Sequence, residues 1–189
     1  MEYLRFLMGK AHHYSLSLII RLEFESLIMG LLSVVPTVFG VFLRATASKF
    51  FFKKIDGFPW LQPRVTIIHS ERIVAGTHLG INTGTYINGV GGIEFGNNVL
   101  IGSNVTISSG EHPIDGVSPP IFSRVVTPKK IVILDDVWIG AGAVIMPGIT
   151  LAKGSVIGAN AVVTKDTEEY AVYVGVPAKK IRNRQDEPK

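Results

Sequence analysis

Between Ser108 and Pro120 the sequence reads SSGEHPIDGVSPP and carries His112, the only histidine after His78. Imidazole has an ordinary pKa of about 6.5, so at pH 7 it is mostly neutral and can take a proton from a hydroxyl turning nucleophile. Glu111 and Asp115 flank it. They could orient the ring or bind hydroxyl groups, although charged loop residues are more often simply solvated. The chain has no cysteine. Disulfides, thiolate metal ligands and cysteine nucleophiles are therefore excluded, leaving oxygen and imidazole chemistry.

A lone histidine needs a frame, and this frame is written in sixes. Ile133, Ile139, Ile145, Leu151, Ile157 and Val163 recur at that spacing, as do Val137, Ala143, Ile149, Ser155 and Ala161. Phe95, Ile101 and Ile107 continue the rhythm upstream with Val99 and Val105, and Ile81, Ile87 and Ile93 keep it more loosely. A period of six fits neither a helix nor a long alternating strand, so the unit is a short repeated rung. Three rungs make a triangular coil, and coils stacked about 4.8 Å apart align the aliphatic residues into one interior column. Frequent Gly and Asn suit corners that need positive φ. Ile107 and Ile133 are not separated by a multiple of six. The segment 108–130 therefore leaves the coil, and it is the segment that holds His112.

The totals agree with one glycine-rich globular domain. Of 189 residues, 47% are hydrophobic, 18% charged and 20 are Gly, too apolar for disorder and too rich in glycine for a helical bundle. The formal charge of +4 comes largely from Arg44, Lys49, Lys53 and Lys54 and from Lys179, Lys180, Arg182 and Arg184. The first group borders an apolar stretch, which suits an anionic membrane surface at least as well as nucleic acid.

That stretch, residues 26–43, is SLIMGLLSVVPTVFGVFL and has no charge. It reaches the lower end of a spanning length, and the cations after it would keep the rest of the chain cytoplasmic. Pro36 would break a helix in its middle, so a span and a hairpin dipping into one leaflet both remain open. A helix packed on the protein's own core is the plainer alternative. A signal peptide cut near RATAS, residues 44–48, is opposed by its length and by Glu23 and Glu25. Residues 3–22 read as an interfacial helix. Gly57, Pro59 and Pro63 then punctuate the chain. The expected organisation is an N-terminal helical region, 1–60, with membrane contact through residues 1–54, followed by a β-helix domain, 61–189.

The motifs IEFGNNVLIGSNVTISSGEHPID, ILDDVWIGAGAVIMPGITLAKGSVIGANAVVTKD and VGVPAKKIR resemble those of the hexapeptide-repeat acyltransferases, the left-handed β-helix family. The likeness is closer to the maltose, galactoside and exopolysaccharide O-acetyltransferase branch, over about residues 65–184. It implies a mainly β fold, a left-handed parallel β-helix with an N-terminal hydrophobic helical region and a short C-terminal tail. It also implies a homotrimer with sites between subunits and acetyl-CoA as acyl donor. His112, in the His-Pro pair, would be the general base. Asn82, in GINTGTY, matches an acceptor-binding asparagine, although a corner asparagine bonding its own backbone explains that residue equally well. Val90 stands where the branch has an acceptor-binding aspartate, which argues against a simple galactoside or maltose acceptor. Gly140, Ala141 and Ala159, with Trp138 nearby, would line the pantetheine groove, though a tight corner also selects small residues. Thr164, Lys165, Lys179 and Arg182 would receive the nucleotide and its phosphates.

The expected function is coenzyme A-dependent O-acetyl transfer to a sugar hydroxyl on a lipid-linked or surface-polysaccharide intermediate, at the cytoplasmic face of a bacterial membrane. No metal and no nucleic acid are expected. Hexads mark a fold and not an activity, so two alternatives stand beside this one. A non-catalytic scaffold would need only the anchor and the trimer surface. A metal lyase of the carbonic anhydrase type would need His69, His78 and His112 to converge between subunits.

Overall fold

The computed structural model describes residues 15–186. Two helices come first, α1 (Leu16–Ser33) and α2 (Thr37–Phe51), with Pro36 between them as the extended residue that starts the second. Pro36 thus divides the uncharged stretch between two helices, and no described helix is long and apolar enough to cross a membrane.

The β-helix begins earlier than residue 60. Its first coil is β1 (Lys54–Ile55), β2 (Trp60–Leu61) and β3 (Thr66–Ile68). β1 pairs in parallel with the next coil, so Gly57 and Pro59 mark a corner rather than a linker. The second coil is β4 (Ile73–Ala75), β5 (Gly80–Ile81) and β6 (Tyr86–Asn88), and the third is β7 (Ile93–Phe95), β8 (Leu100–Ile101) and β9 (Thr106–Ser108). A short ribbon follows, β10 (Gly110–Glu111) against β11 (Thr127–Pro128). The fourth coil is β12 (Ile131–Ile133), β13 (Trp138–Ile139) and β14 (Val144–Ile145), and the fifth is β15 (Thr150–Leu151), β16 (Val156–Ile157) and β17 (Val162–Val163). β18 (Ala171–Val174) opens a sixth turn, and β19 (Lys179–Asn183) folds back on it antiparallel.

Each coil gives one strand to each of three parallel faces. On the second face Leu61, Ile81, Ile101, Ile139 and Ile157 stand in register and are buried. On the third face Ile67, Ile87, Ile107, Ile145 and Val163 do the same. Parallel pairing at fixed register turns the hexad into a dry interior column. The looser upstream rhythm also has a cause. Ile73 pairs with Ile93 and Ile87 with Ile107, whereas Ile139 pairs with Ile157 and Ile145 with Val163, so the later coils are two residues shorter.

The open end of a solenoid exposes apolar side chains and must be covered. Here the helical hairpin covers the first coil. Gly40, Val41, Arg44, Ala45, Ser48 and Phe51 are the buried face of α2. Arg44 is 1% exposed. It is therefore no part of a surface basic cluster, because its guanidinium is used internally. Nε donates to the Leu61 carbonyl at 2.9 Å, and Nη1 donates to the Leu32 and Val35 carbonyls at 2.7 and 2.8 Å. One side chain thus binds two carbonyls at and just after the end of α1 and ties the hairpin to β2. The Ser70 hydroxyl adds a further tie by donating to the Phe51 carbonyl at 2.9 Å.

Candidate active site

The loop with His112 leaves the prism at the edge between the third and first faces. That corner is made by residues 69–72 after β3 and by 89–92 after β6, but by 109–130 after β9. The chain still returns in register, Phe95 pairing with Ile133 and Ile107 with Ile145. Ser109, fully buried, fastens the neck. Its hydroxyl donates to the Asn88 carbonyl at 2.9 Å and accepts from the Gly91 N–H at 2.8 Å, while its carbonyl accepts from the Lys129 N–H at 2.7 Å. Gly91 has no room for a side chain, since a Cβ would lie 2.3 Å from the Ser109 oxygen.

Above the neck, β10 and β11 hold the two arms of the loop together, and Lys129 pairs with Glu111. His112 follows directly and is exposed. Arg124 organises the rest of the loop. It donates to the carbonyls of Pro113 and Asp115 from Nη1 at 2.9 and 2.8 Å, to Gly116 from Nη2 at 2.7 Å and to Pro119 from Nε at 2.8 Å. A planar fork with fixed donors suits four converging carbonyls, one of them on the residue beside the histidine. Sequence reasoning passed over Arg124 because its partners are backbone atoms, which leave no side-chain signature. The exposed imidazole on a braced backbone is free to meet a hydroxyl.

The other expected site residues lie on different edges and faces of the same chain. Asn82 sits on the edge between the second and third faces, and its Nδ2 donates to the Ile101 carbonyl at 2.9 Å. Within one chain it therefore does the work of a corner asparagine. Val90 lies at the loop neck, where a Cβ on Gly110 would come within 2.5 Å of its side chain. Val90 also borders a cleft of about 440 Å³ with Lys53, Arg72, Glu94 and Lys130.

Gly140, Ala141 and Ala159 lie on that second-to-third edge. A Cβ on Gly140 would sit 2.6 Å from the Ala159 nitrogen, and one on Gly102 would sit 2.6 Å from the Ala141 nitrogen. Stacking of coils is sufficient reason for those glycines. Ala141 and Ala159 are exposed, and their amides have no backbone partner among the described residues.

Trp138, 52% exposed, stands at the start of the same strand as Ile139. With Leu100, Val156 and Val172 it floors a groove of about 600 Å³ bounded by Arg182 and Arg184. Arg184 was not among the expected residues. It donates from Nη1 to Asp136 Oδ2 at 2.8 Å and to the Gly154 carbonyl at 2.9 Å, which fixes it beside the groove. Lys179 is exposed on β19 with Arg182, and the tail forms a strand where composition alone allowed any basic extension. Thr164 and Lys165 are exposed after β17, on the edge that carries the His112 loop. The structure brings Trp138 and Arg182 together and leaves His112 and Asn82 on separate edges.

No group of three His, Asp or Glu converges to hold a metal among the described residues. His69 Nδ1 lies 3.3 Å from Glu71 Oε1, and His78 Nδ1 lies 2.9 Å from Asn98 Oδ1. His69 and His78 both have positive φ at corners, a backbone role for each.

Comparison with known proteins matches residues 130–165 to the bacterial transferase hexapeptide (six repeats) family. The Escherichia coli galactoside O-acetyltransferase is 34% identical over 149 residues, 77% of this chain and 71% of that protein. For two other curated relatives the chain spans only 61% and 40% of their length. A hexapeptide-repeat containing acetyltransferase from Vibrio cholerae, solved complexed with acetyl coenzyme A, superposes with a TM-score of 0.80 and 25% identity, covering 91% of both chains. A galactoside acetyltransferase in complex with coenzyme A gives a TM-score of 0.80 and 29% identity, covering 89% of this chain and 83% of that one.

Proposed function

Because the chain belongs to the hexapeptide-repeat acyltransferases, in the branch of the galactoside and maltose O-acetyltransferases, we propose that it transfers acetyl from acetyl-CoA to a hydroxyl of a sugar. The observation that carries this reading is the braced loop. Among the described residues the prism makes one long departure, which presents an exposed imidazole, its neck latched by Ser109, its arms paired as β10 and β11 and the rest gathered by Arg124.

In the proposed step His112 takes the acceptor's hydroxyl proton as that oxygen attacks the thioester carbonyl. The C–O bond forms, the C–S bond breaks, and the thiolate of coenzyme A leaves and takes up the proton. The donor lies along the groove with Trp138 on its floor. The Ala141 and Ala159 amides face the pantetheine arm, and Arg182, with Lys179 nearby, faces the phosphates. His112, Thr164 and Lys165 on one edge of a chain meet Asn82, Ala141 and Ala159 on another edge of its neighbour, across the subunit boundaries of a cyclic homotrimer. The apolar hairpin and the Val90 position favour an acceptor held at the cytoplasmic side of a membrane, such as a lipid-linked sugar, over a free galactoside.

Purified full-length protein given acetyl-CoA should release thiol only when a glycan acceptor is present, most of all one in membrane lipid extract. It should also have the mass of a trimer in light scattering. Absence of acceptor-dependent release from any glycan would overturn the reading, and absence of coenzyme binding as well would favour a scaffold.

A further inference from the structure

Capping the first coil uses only one side of the helical hairpin, and the other side is as apolar as a core. On α1 the buried side carries Glu25, with Met29 packed against the prism. The opposite side carries Leu16, Ile20, Phe24, Leu27 and Leu31, each 57–72% exposed, and Val34 continues the row at 71%. Each step between them is of four or three residues, which keeps them on one face of the helix. On α2 Val38, Phe39 and Phe42 extend the surface at 57–69% exposure. The patch then passes to Phe58, which stacks on Phe42 with centroids 6.5 Å apart. Isolated exposed apolar residues are ordinary, but a continuous row along two helices is not.

The charges around the row say what covers it. Lys49 Nζ stands 4.1 Å over the Phe58 ring, Lys53 is exposed just beyond α2, and Arg64 is exposed where its N–H meets the Ser33 carbonyl at the end of α1. No carboxylate lies in the row, and Glu23 at its margin is the one exposed acid on the described hairpin. A second copy of the chain pressed on this face would bring like cations together, whereas anionic headgroups would neutralise them.

We propose that the outer face of the hairpin lies flat in the headgroup and upper acyl region of an anionic bilayer, α1 and α2 in the membrane plane. Lys49, Lys53 and Arg64 rest on headgroup phosphates, and Phe42 and Phe58 lie at the interface. This is an in-plane attachment, not a span. It deepens the membrane-held acceptor reading and rests on it for its purpose, but vesicle binding is measured without catalysis.

The test is co-sedimentation of full-length protein with vesicles of phosphatidylcholine alone and of phosphatidylcholine mixed with phosphatidylglycerol. Binding is expected to the mixed vesicles, to fall with salt, and to drop more than tenfold in Leu27→Ser/Leu31→Ser. Lys49→Glu/Lys53→Glu, which leaves the apolar row intact, should weaken binding by about fivefold or more per cation. Light scattering of the variants without lipid is the control for mass and fold. Failure of the wild type to bind mixed vesicles would overturn the proposal. So would a change of oligomeric mass in Leu27→Ser/Leu31→Ser with vesicle binding unchanged, which would make the row a contact between copies. Vesicle binding together with acetylation of soluble glycans alone would leave this proposal standing and remove the lipid-linked acceptor.

Discussion

The edge between the second and third faces repeats nearly unchanged from coil to coil, whereas the edge between the third and first faces is rebuilt along the stack. On the first, Gly102, Gly140 and Ala141, and Gly158 and Ala159 follow one another, so close that a Cβ on Gly140 would collide with the Ala159 backbone. On the second, the corner opens into residues 109–130 and presents His112. A repeating edge selects residues first for stacking, because a change in one coil is felt by the next. An edge allowed to differ can carry groups that no repeat would tolerate. The frame therefore keeps one form where it repeats and presents an exposed imidazole where it does not.

This contrast can be broken most forcefully on the stacked edge. Gly140→Ala should destabilise the protein by about 1–3 kcal/mol, because backbone atoms stand where the methyl must go. A thermal melt should record it as a loss of roughly 2–4 °C per kcal/mol. A melting temperature equal to that of the wild type would show that coils can part there without cost.

On the variable edge the expected loss falls on turnover instead. Arg124→Ala frees four carbonyls of the loop while touching nothing in the prism. Acceptor kcat/KM should fall on the order of tenfold or more through lost positioning, with the melting temperature little changed. Equal losses of activity and stability would mean that the loop is part of the core's support.

The smallest effect concerns the seam between hairpin and first coil. Burial pushes the Glu25 carboxyl above its ordinary 4.5, with nearby Glu71 adding to the rise, against lowering by Ser70, Arg21 and His69. A raised folded pKa adds stability that is full below the ordinary value and is lost as pH rises through the folded one. Glu25→Gln should therefore stabilise the protein at pH 7 by roughly 1 kcal/mol or less and bring no gain below about pH 4. Glu71, held below its ordinary value by His69 and Arg72 although burial opposes it, works in the opposite sense and loses its contribution as pH falls. Chemical denaturation across pH 4–8 resolves the two.

Much of this frame is legible in the sequence because a period of six admits one geometry. The register of Ile139 with Ile157 and the departure after Ser108 follow from spacing, and the positive-φ corners at Asn98, Asn104 and Asn160 from residue type. The hairpin was less legible. Arg44 looks like a surface cation beside Lys49, and only the carbonyls of Leu32, Val35 and Leu61 around it reveal a buried clasp. Arg124 escaped for the same reason, since bonds to backbone carbonyls leave no trace in residue type, and Arg184 escaped because its carboxylate partner Asp136 lies two coils away in the sequence. Asn82 shows the converse, a residue type that fits two roles and bonds a carbonyl within its own chain.

The central claim is that the departing loop, and not the repeating edge, does the chemistry. Its most direct test is thiol release from acetyl-CoA by His112→Ala beside the wild type, with coenzyme affinity measured on both. The account predicts a loss of about 10²–10⁴-fold in turnover with coenzyme affinity unchanged within about twofold. Turnover preserved in His112→Ala would contradict it.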